Sequence, residues 1–152
     1  MNRPSYLLIF AGVLSFCAAI FQAAIGFVPA WSAAFGAGDA LVSNPFVLLA
    51  SALLVALLLV IFGLYGLSGA GLIRRLPMLR FGLFVIGLLY MMVGINFIFQ
   101  MLAFLGILPS AGPIPIYIVL VSFGALVAAL AYWIGLALNW KRLSARPAPA
   151  MI

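Results

Sequence analysis

Four stretches of the chain, residues 6–28, 46–68, 81–105 and 116–138, contain no Asp, Glu, Lys or Arg. Each exceeds the roughly 20 residues that carry an α-helix across a hydrocarbon core of about 30 Å. A backbone in that medium must satisfy its own hydrogen bonds, so only helices and closed barrels can span it. Barrel strands alternate polar and apolar residues over segments of about 10, whereas these runs are apolar on every side. The prolines agree with the helical reading. Pro4, Pro29, Pro45, Pro77, Pro109, Pro113, Pro115, Pro147 and Pro149 all stand at or beyond a run end, where a missing N–H breaks no helical hydrogen bond. The expected fold is an all-α membrane protein, a bundle of four transmembrane helices.

Composition excludes the soluble alternatives. Of 152 residues, 69% are hydrophobic and 5% charged, with a mean hydropathy of +1.43. A soluble domain is about 45–50% apolar and about 25% charged, and one of this size cannot hide such an excess. Disordered and disulfide-framework chains need polarity or many cysteines, and neither is present.

The charges are sorted by loop. Arg3 precedes the first run, Arg74, Arg75 and Arg80 lie between the second and third, and Lys141, Arg142 and Arg146 follow the fourth. The loops from Pro29 to Pro45 and from Gly106 to Pro115 carry no basic residue. By the positive-inside rule both termini are expected to be cytoplasmic. A cleaved signal peptide is a rival for the first run, because Arg3 and Ser32-Ala33-Ala34 resemble its flanks. The run is too long for a signal core of about 7–15 residues, so the first helix is expected to stay. One transmembrane domain over residues 1–143 then precedes a disordered cytoplasmic tail over 144–152.

The loop from Pro29 to Pro45 holds Asp39, the only acidic residue. Its Trp31 and Phe35 suit a segment pressed on the membrane surface or roofing the bundle; a loose connector is the alternative. Ser43 or Asn44 is expected to cap the second helix, with Pro45 in its first turn. On the basic side, Arg74, Arg75, Arg80, Lys141 and Arg142 form a rim suited to anionic lipid headgroups. A nucleic-acid partner is not expected, because the basic residues form no separate domain.

The reactive inventory is short, with no histidine, no carboxylate within a span and one cysteine, Cys17. That excludes Cys/His zinc sites, Ser-His-Asp catalysis, paired-carboxylate hydrolysis and a dithiol relay within one chain. Mid-span, Cys17 reads as an inert small hydrophobe. No enzyme activity, metal or cofactor is expected. A proton-coupled pump would place an ionisable group in the membrane, and the buried glutamate of the small four-helix multidrug exporters has no counterpart here.

Polar side chains within the spans include Ser15, Gln22, Ser51, Tyr65, Tyr90, Asn96, Gln100 and Ser122. Asn96 and Gln100, four apart, share a helix face, and Gln22 falls at a similar depth on the first helix. These amides beneath the loop of Asp39 form a candidate polar pocket of Gln22, Asn96, Gln100 and Asp39. The plainer reading is that they hydrogen-bond helices together. Small residues mark candidate packing faces: Ala11, Ser15, Ala19 and Ala23; Gly63, Gly66, Gly69 and Gly71; Gly87 and Gly94; Gly124 and Ala128; Ala131 and Gly135. Ile20-Phe21-Gln22 before Gly26 and Pro29 is echoed by Ile98-Phe99-Gln100 before Gly106 and Pro109, which would make the halves parallel repeats.

Pro29-Ala30-Trp31 with Phe35-Gly36-Ala37-Gly38, and the segment from Gly63 to Gly71 followed by Arg74-Arg75-Leu76-Pro77, resemble in outline small four-span inner-membrane proteins of bacteria. Such proteins carry no assigned activity. The resemblance implies a bacterial plasma-membrane location and supplies no site residue. Two function classes follow. The first is a non-catalytic accessory or scaffold subunit that self-associates or binds another membrane protein. The second is a passive channel or facilitator for a small polar or amphipathic solute.

Overall fold

A computed structural model describes residues 5–35, 37–109 and 114–144. The described residues form helices and no strand. Four helices, α1 (Tyr6–Gly26), α4 (Pro45–Ala70), α5 (Leu79–Phe104) and α6 (Ile116–Leu138), are long and apolar enough to cross a membrane. Their ends fall within two residues of the four apolar runs. Three short helices occupy segments expected to be irregular: α2 (Pro29–Ala34), α3 (Asp39–Val42) and α7 (Trp140–Ser144). Ser144 thus belongs to a helix, and the rest of the expected disordered tail, 145–152, lies outside the described residues.

Turn chemistry sets the helix ends. The Asn44 side chain accepts from the Val47 N–H at 3.3 Å, so Asn44 is the cap of α4, while the Ser43 hydroxyl turns to the Ala40 carbonyl. The last turns of α4 and α5 close on left-handed glycines, Gly71 (φ 84°) and Gly106 (φ 73°). The following N–H of Leu72 then reaches back to Leu67 O at 3.0 Å, and that of Ile107 to Leu102 O at 2.9 Å. Both are Schellman-type ends, which satisfy carbonyls that have no partner along the helix.

The long helices stand in a ring in the order α1, α4, α5, α6, with α1 packed most extensively on α4 and α5 on α6. The bundle is two helical hairpins side by side. Each hairpin is cinched where a glycine meets a neighbouring backbone. A Cβ on Gly66 would lie 2.8 Å from Gly12 Cα and 2.9 Å from Gly12 N. One on Gly94 would lie 2.6 Å from Leu126 Cα. Ala11, Ser15, Ala19, Ala128 and Ala131 are buried, in line with the small-residue faces. Gly124 is not a packing position: a Cβ there would meet nothing within 4 Å. Its face is open because α5 approaches α6 through Leu126.

The main core lies at the end of the bundle that carries the arginines. Leu8, Ala70, Leu79, Leu83, Ile86, Tyr132, Leu136 and Leu143 form one buried cluster there. At the far end α2 and α3 cover the first hairpin. The Ser32 hydroxyl, buried, donates to the Ile25 carbonyl at 2.9 Å near the end of α1. The Phe35 ring meets those of Phe21 and Tyr117 edge-on, at 5.2 and 4.9 Å between centroids. Of the readings of this loop, the roof is the one its Phe35 adopts; Trp31 is 54% exposed.

Candidate functional site

Three polar regions distinguish the bundle: a hydroxyl cluster on its axis, a cleft at the far end and a basic rim at the other end.

Ser15 of α1 is fully buried, and so is Tyr132 of α6. Tyr90 donates to Ser15 Oγ at 2.9 Å, Ser15 and Tyr132 hydroxyls lie 2.9 Å apart, and Tyr132 donates to the Phe62 carbonyl at 2.8 Å. Ser15 Oγ also lies 3.0 Å from Ala11 O. Three hydroxyl hydrogens serve these four contacts: Tyr90 donates to Ser15, Tyr132 donates to the Phe62 carbonyl, and the Ser15 hydrogen is shared between the Ala11 carbonyl and the Tyr132 oxygen. Ser15–Tyr90 and Tyr132–Phe62 cross the two diagonals of the ring, so the cluster ties all four long helices. The Tyr90 and Tyr132 rings stack at 5.9 Å, and Phe62 meets Tyr90 edge-on at 5.9 Å. Aromatic rings fill the axis at this level. Chemically the cluster holds only neutral hydroxyls and carbonyls, with no base beside Ser15 to make it a nucleophile.

The far-end cleft has a volume of about 290 Å³ and lies between α1, α4 and the α2–α3 roof. Its walls are Ile25, Phe35, Leu41, Leu48, Ala52 and Val55, with polar groups from Gln22, Ser32 and Ser51. The Ser32 and Ser51 hydroxyls donate to carbonyls of Ile25 and Leu48, which leaves them as acceptors. Gln22 is half-buried and is the cleft's amide.

The expected four-residue pocket does not form as a unit. Gln22 faces this cleft, but Gln100 donates to Ser122 Oγ on α6 at 3.2 Å, and its own Oε1 is buried with no partner among the described residues. Asn96 is exposed and bonds its own helix, at 3.1 Å to Val93 O and 3.4 Å to Met92 O. Asp39 opens α3, exposed, and does not line the cleft. The physical reason is azimuth. Depth along a helix is countable from sequence, but Asn96 lies two residues past the buried Gly94, about 200° round the helix.

At the basic end, the arginines satisfy carbonyls. Arg142 donates to Gly69 O at 2.6 Å near the end of α4, Arg75 donates to Arg142 O, and Arg80 donates to Trp140 O at 3.3 Å. The Arg80 guanidinium also lies over the Trp140 ring at 4.6 Å. Cations suit helix C-termini, where carbonyls are unpaired and the helix dipole is negative. Arg75, Arg80 and Arg142 of the expected lipid-facing rim are thus engaged within the protein. Arg74 and Lys141 are exposed.

Sequence alone does not mark Tyr132, because a tyrosine within an apolar aromatic run reads as one more hydrophobe. A Ser15 and two tyrosines on three apolar helices were the available clue. Among the described residues no group of three His, Cys, Asp or Glu side chains comes together to hold a metal. Cys17 is exposed on α1. No known protein family, curated protein or solved structure significantly matches the chain.

Proposed function

We propose that this multi-pass membrane protein is a non-catalytic accessory or scaffold subunit that self-associates or binds another membrane protein. The observation that carries the reading is the axial cluster of Ser15, Tyr90 and Tyr132. It commits the deepest polar groups to joining helices and fills the axis a solute would otherwise follow. Its setting is a bacterial plasma membrane with both termini cytoplasmic, a reading supported by the sorting of all seven cations to one side. Arg74 and Lys141 there attract anionic lipid headgroups, at about 1 kcal/mol each. Chemical crosslinking in native membranes tests the assignment. The expected product is a crosslinked species larger than one chain; monomer alone, with no partner, overturns it.

The far-end cleft favours a second reading, a passive channel or facilitator for a small polar or amphipathic solute. Gln22 offers both a donor and an acceptor there beside two hydroxyl acceptors and an apolar wall. Glycerol uptake by proteoliposomes, followed by light scattering, separates the two readings. Uptake faster than in empty vesicles, and lost in Gln22→Leu, supports passage. Uptake equal to that of empty vesicles removes it.

A further inference from the structure

We infer that the protein forms a parallel homodimer through the outward ridge of α5, with Asn96 at its centre. This rests on the self-associating form of the scaffold reading and names its partner, a second copy of this chain, and its surface.

The inward face of α5 is given by Leu83, Ile86, Gly87 and Gly94, all buried. Val85, Leu89, Met92, Asn96, Phe99 and Ala103 run along the opposite side, at spacings of 4, 3, 4, 3 and 4 residues. That is the seam of a heptad, on which two helices pack knobs into holes. Leu89, Met92 and Phe99 are 43%, 64% and 54% exposed. In a helix so apolar, heptad spacing alone selects no face. Asn96 does. It lies eight residues before the end of α5, about 12 Å along the helix from that end and within hydrocarbon. Its amide N–H group turns back on Val93 O and Met92 O, and its Oδ1, on an exposed side chain, has no donor among the described residues. Lipid tails offer none either.

A second copy supplies what is missing. Copies of one chain insert with the same orientation, so their Asn96 side chains lie at the same depth. One hydrogen of each amide is shared between Val93 O and Met92 O; across a two-fold axis along the membrane normal, the second donates to the other copy's Oδ1, a self-complementary pair. A single polar residue in an apolar seam also sets register, because any slip leaves both amides in lipid.

The test uses the full chain with Cys17→Ser, in native membranes and in phosphatidylcholine–phosphatidylglycerol vesicles. Single substitutions Met92→Cys and Phe99→Cys are expected to give disulfide-linked dimers on mild oxidation, and Leu54→Cys on the exposed face of α4 none. In vesicles, energy transfer between labelled copies is expected to show dimerisation about eightfold weaker in Asn96→Leu, the product of about 2.8-fold for each of the two reciprocal bonds. Asn96→Gln, which keeps the amide, should retain most of it. Dimers linked through Leu54→Cys alone, or unchanged association of Asn96→Leu, overturn the α5 seam and leave the scaffold reading standing. Copies that never associate, yet crosslink to another membrane protein, overturn the seam in the same way. Monomers without any partner overturn both.

Discussion

Replacing Tyr132 with alanine is expected to destabilise the bundle by about 3–5 kcal/mol, the range of large aromatic deletions in a packed core. Tyr132 is completely buried, its ring stacks on Tyr90, and its hydroxyl joins Ser15 of α1 to the Phe62 carbonyl of α4. Lipid tails are as apolar as the bundle interior, so helices in a membrane associate through dispersion contacts and hydrogen bonds. The alanine substitution removes both at the point where all four long helices meet. Tyr132→Phe keeps the ring and removes only the hydroxyl, so it should cost less, about 0.6–2 kcal/mol. Unfolding of the detergent-solubilised chain by dodecyl sulfate, followed by far-ultraviolet circular dichroism, measures both. The expected order is wild type, Tyr132→Phe, Tyr132→Ala. Equal losses in the two variants would assign the stabilisation to the hydrogen bonds alone, and no loss in either would contradict axial burial.

Gly66→Val is expected to prevent the close packing of α1 on α4, with a loss beyond the about 1–3 kcal/mol usual for overpacking. The reason is what the new side chain would strike. Even a single Cβ would stand 2.8 Å from Gly12 Cα and 3.0 Å from Leu8 O. Both are backbone atoms, which move only if the helices part. The gentler Gly66→Ala should fall within the usual overpacking range. Gly124→Ala provides the contrast, since nothing lies within 4 Å of the added carbon. It should leave the unfolding midpoint unchanged or raise it, because alanine favours the helix over glycine. A midpoint for Gly66→Val equal to wild type would contradict the backbone contact.

The spans were legible because their limits are written in polarity. Arg74 to Arg80, Pro29, Pro45 and Pro115 punctuate the apolar runs, and each helix end lies within two residues of a run end. The cap of α4 was half legible: Ser43-Asn44-Pro45 announced an N-terminus, and only geometry separated Asn44 from Ser43. Rotational position was not legible. On helices apolar all round, periodicity gives no inward direction, so Gln22, Asn96 and Gln100 were matched in depth and mismatched in face. Tyr132 escaped for a related reason: its ring fits any apolar run, and its hydroxyl acquires meaning only through Ser15, 117 residues away. The arginines were legible as a group on one side of the bundle. Their bonds to the carbonyls of Gly69, Trp140 and Arg142 depend on how α7 folds back, which composition does not encode.

The meeting of α1 with α6 has a bearing on how the protein is made. Ser5 receives a hydrogen bond from Asn139, Ser15 waits for Tyr132, and Leu8 fills the space beside Gly135. Helix α1 is thus completed by α6, which is made well after it. The hairpin of α1 and α4 can form early, since its contacts are local, but its flank stays open to lipid until α6 is inserted. Until then Ser15 lacks Tyr132, and Leu8 lacks its niche beside Gly135. Closure is a late event of biogenesis. A chain cut off before α6 would carry a half-built polar seam in the membrane, with Ser15 and the Phe62 carbonyl both without Tyr132.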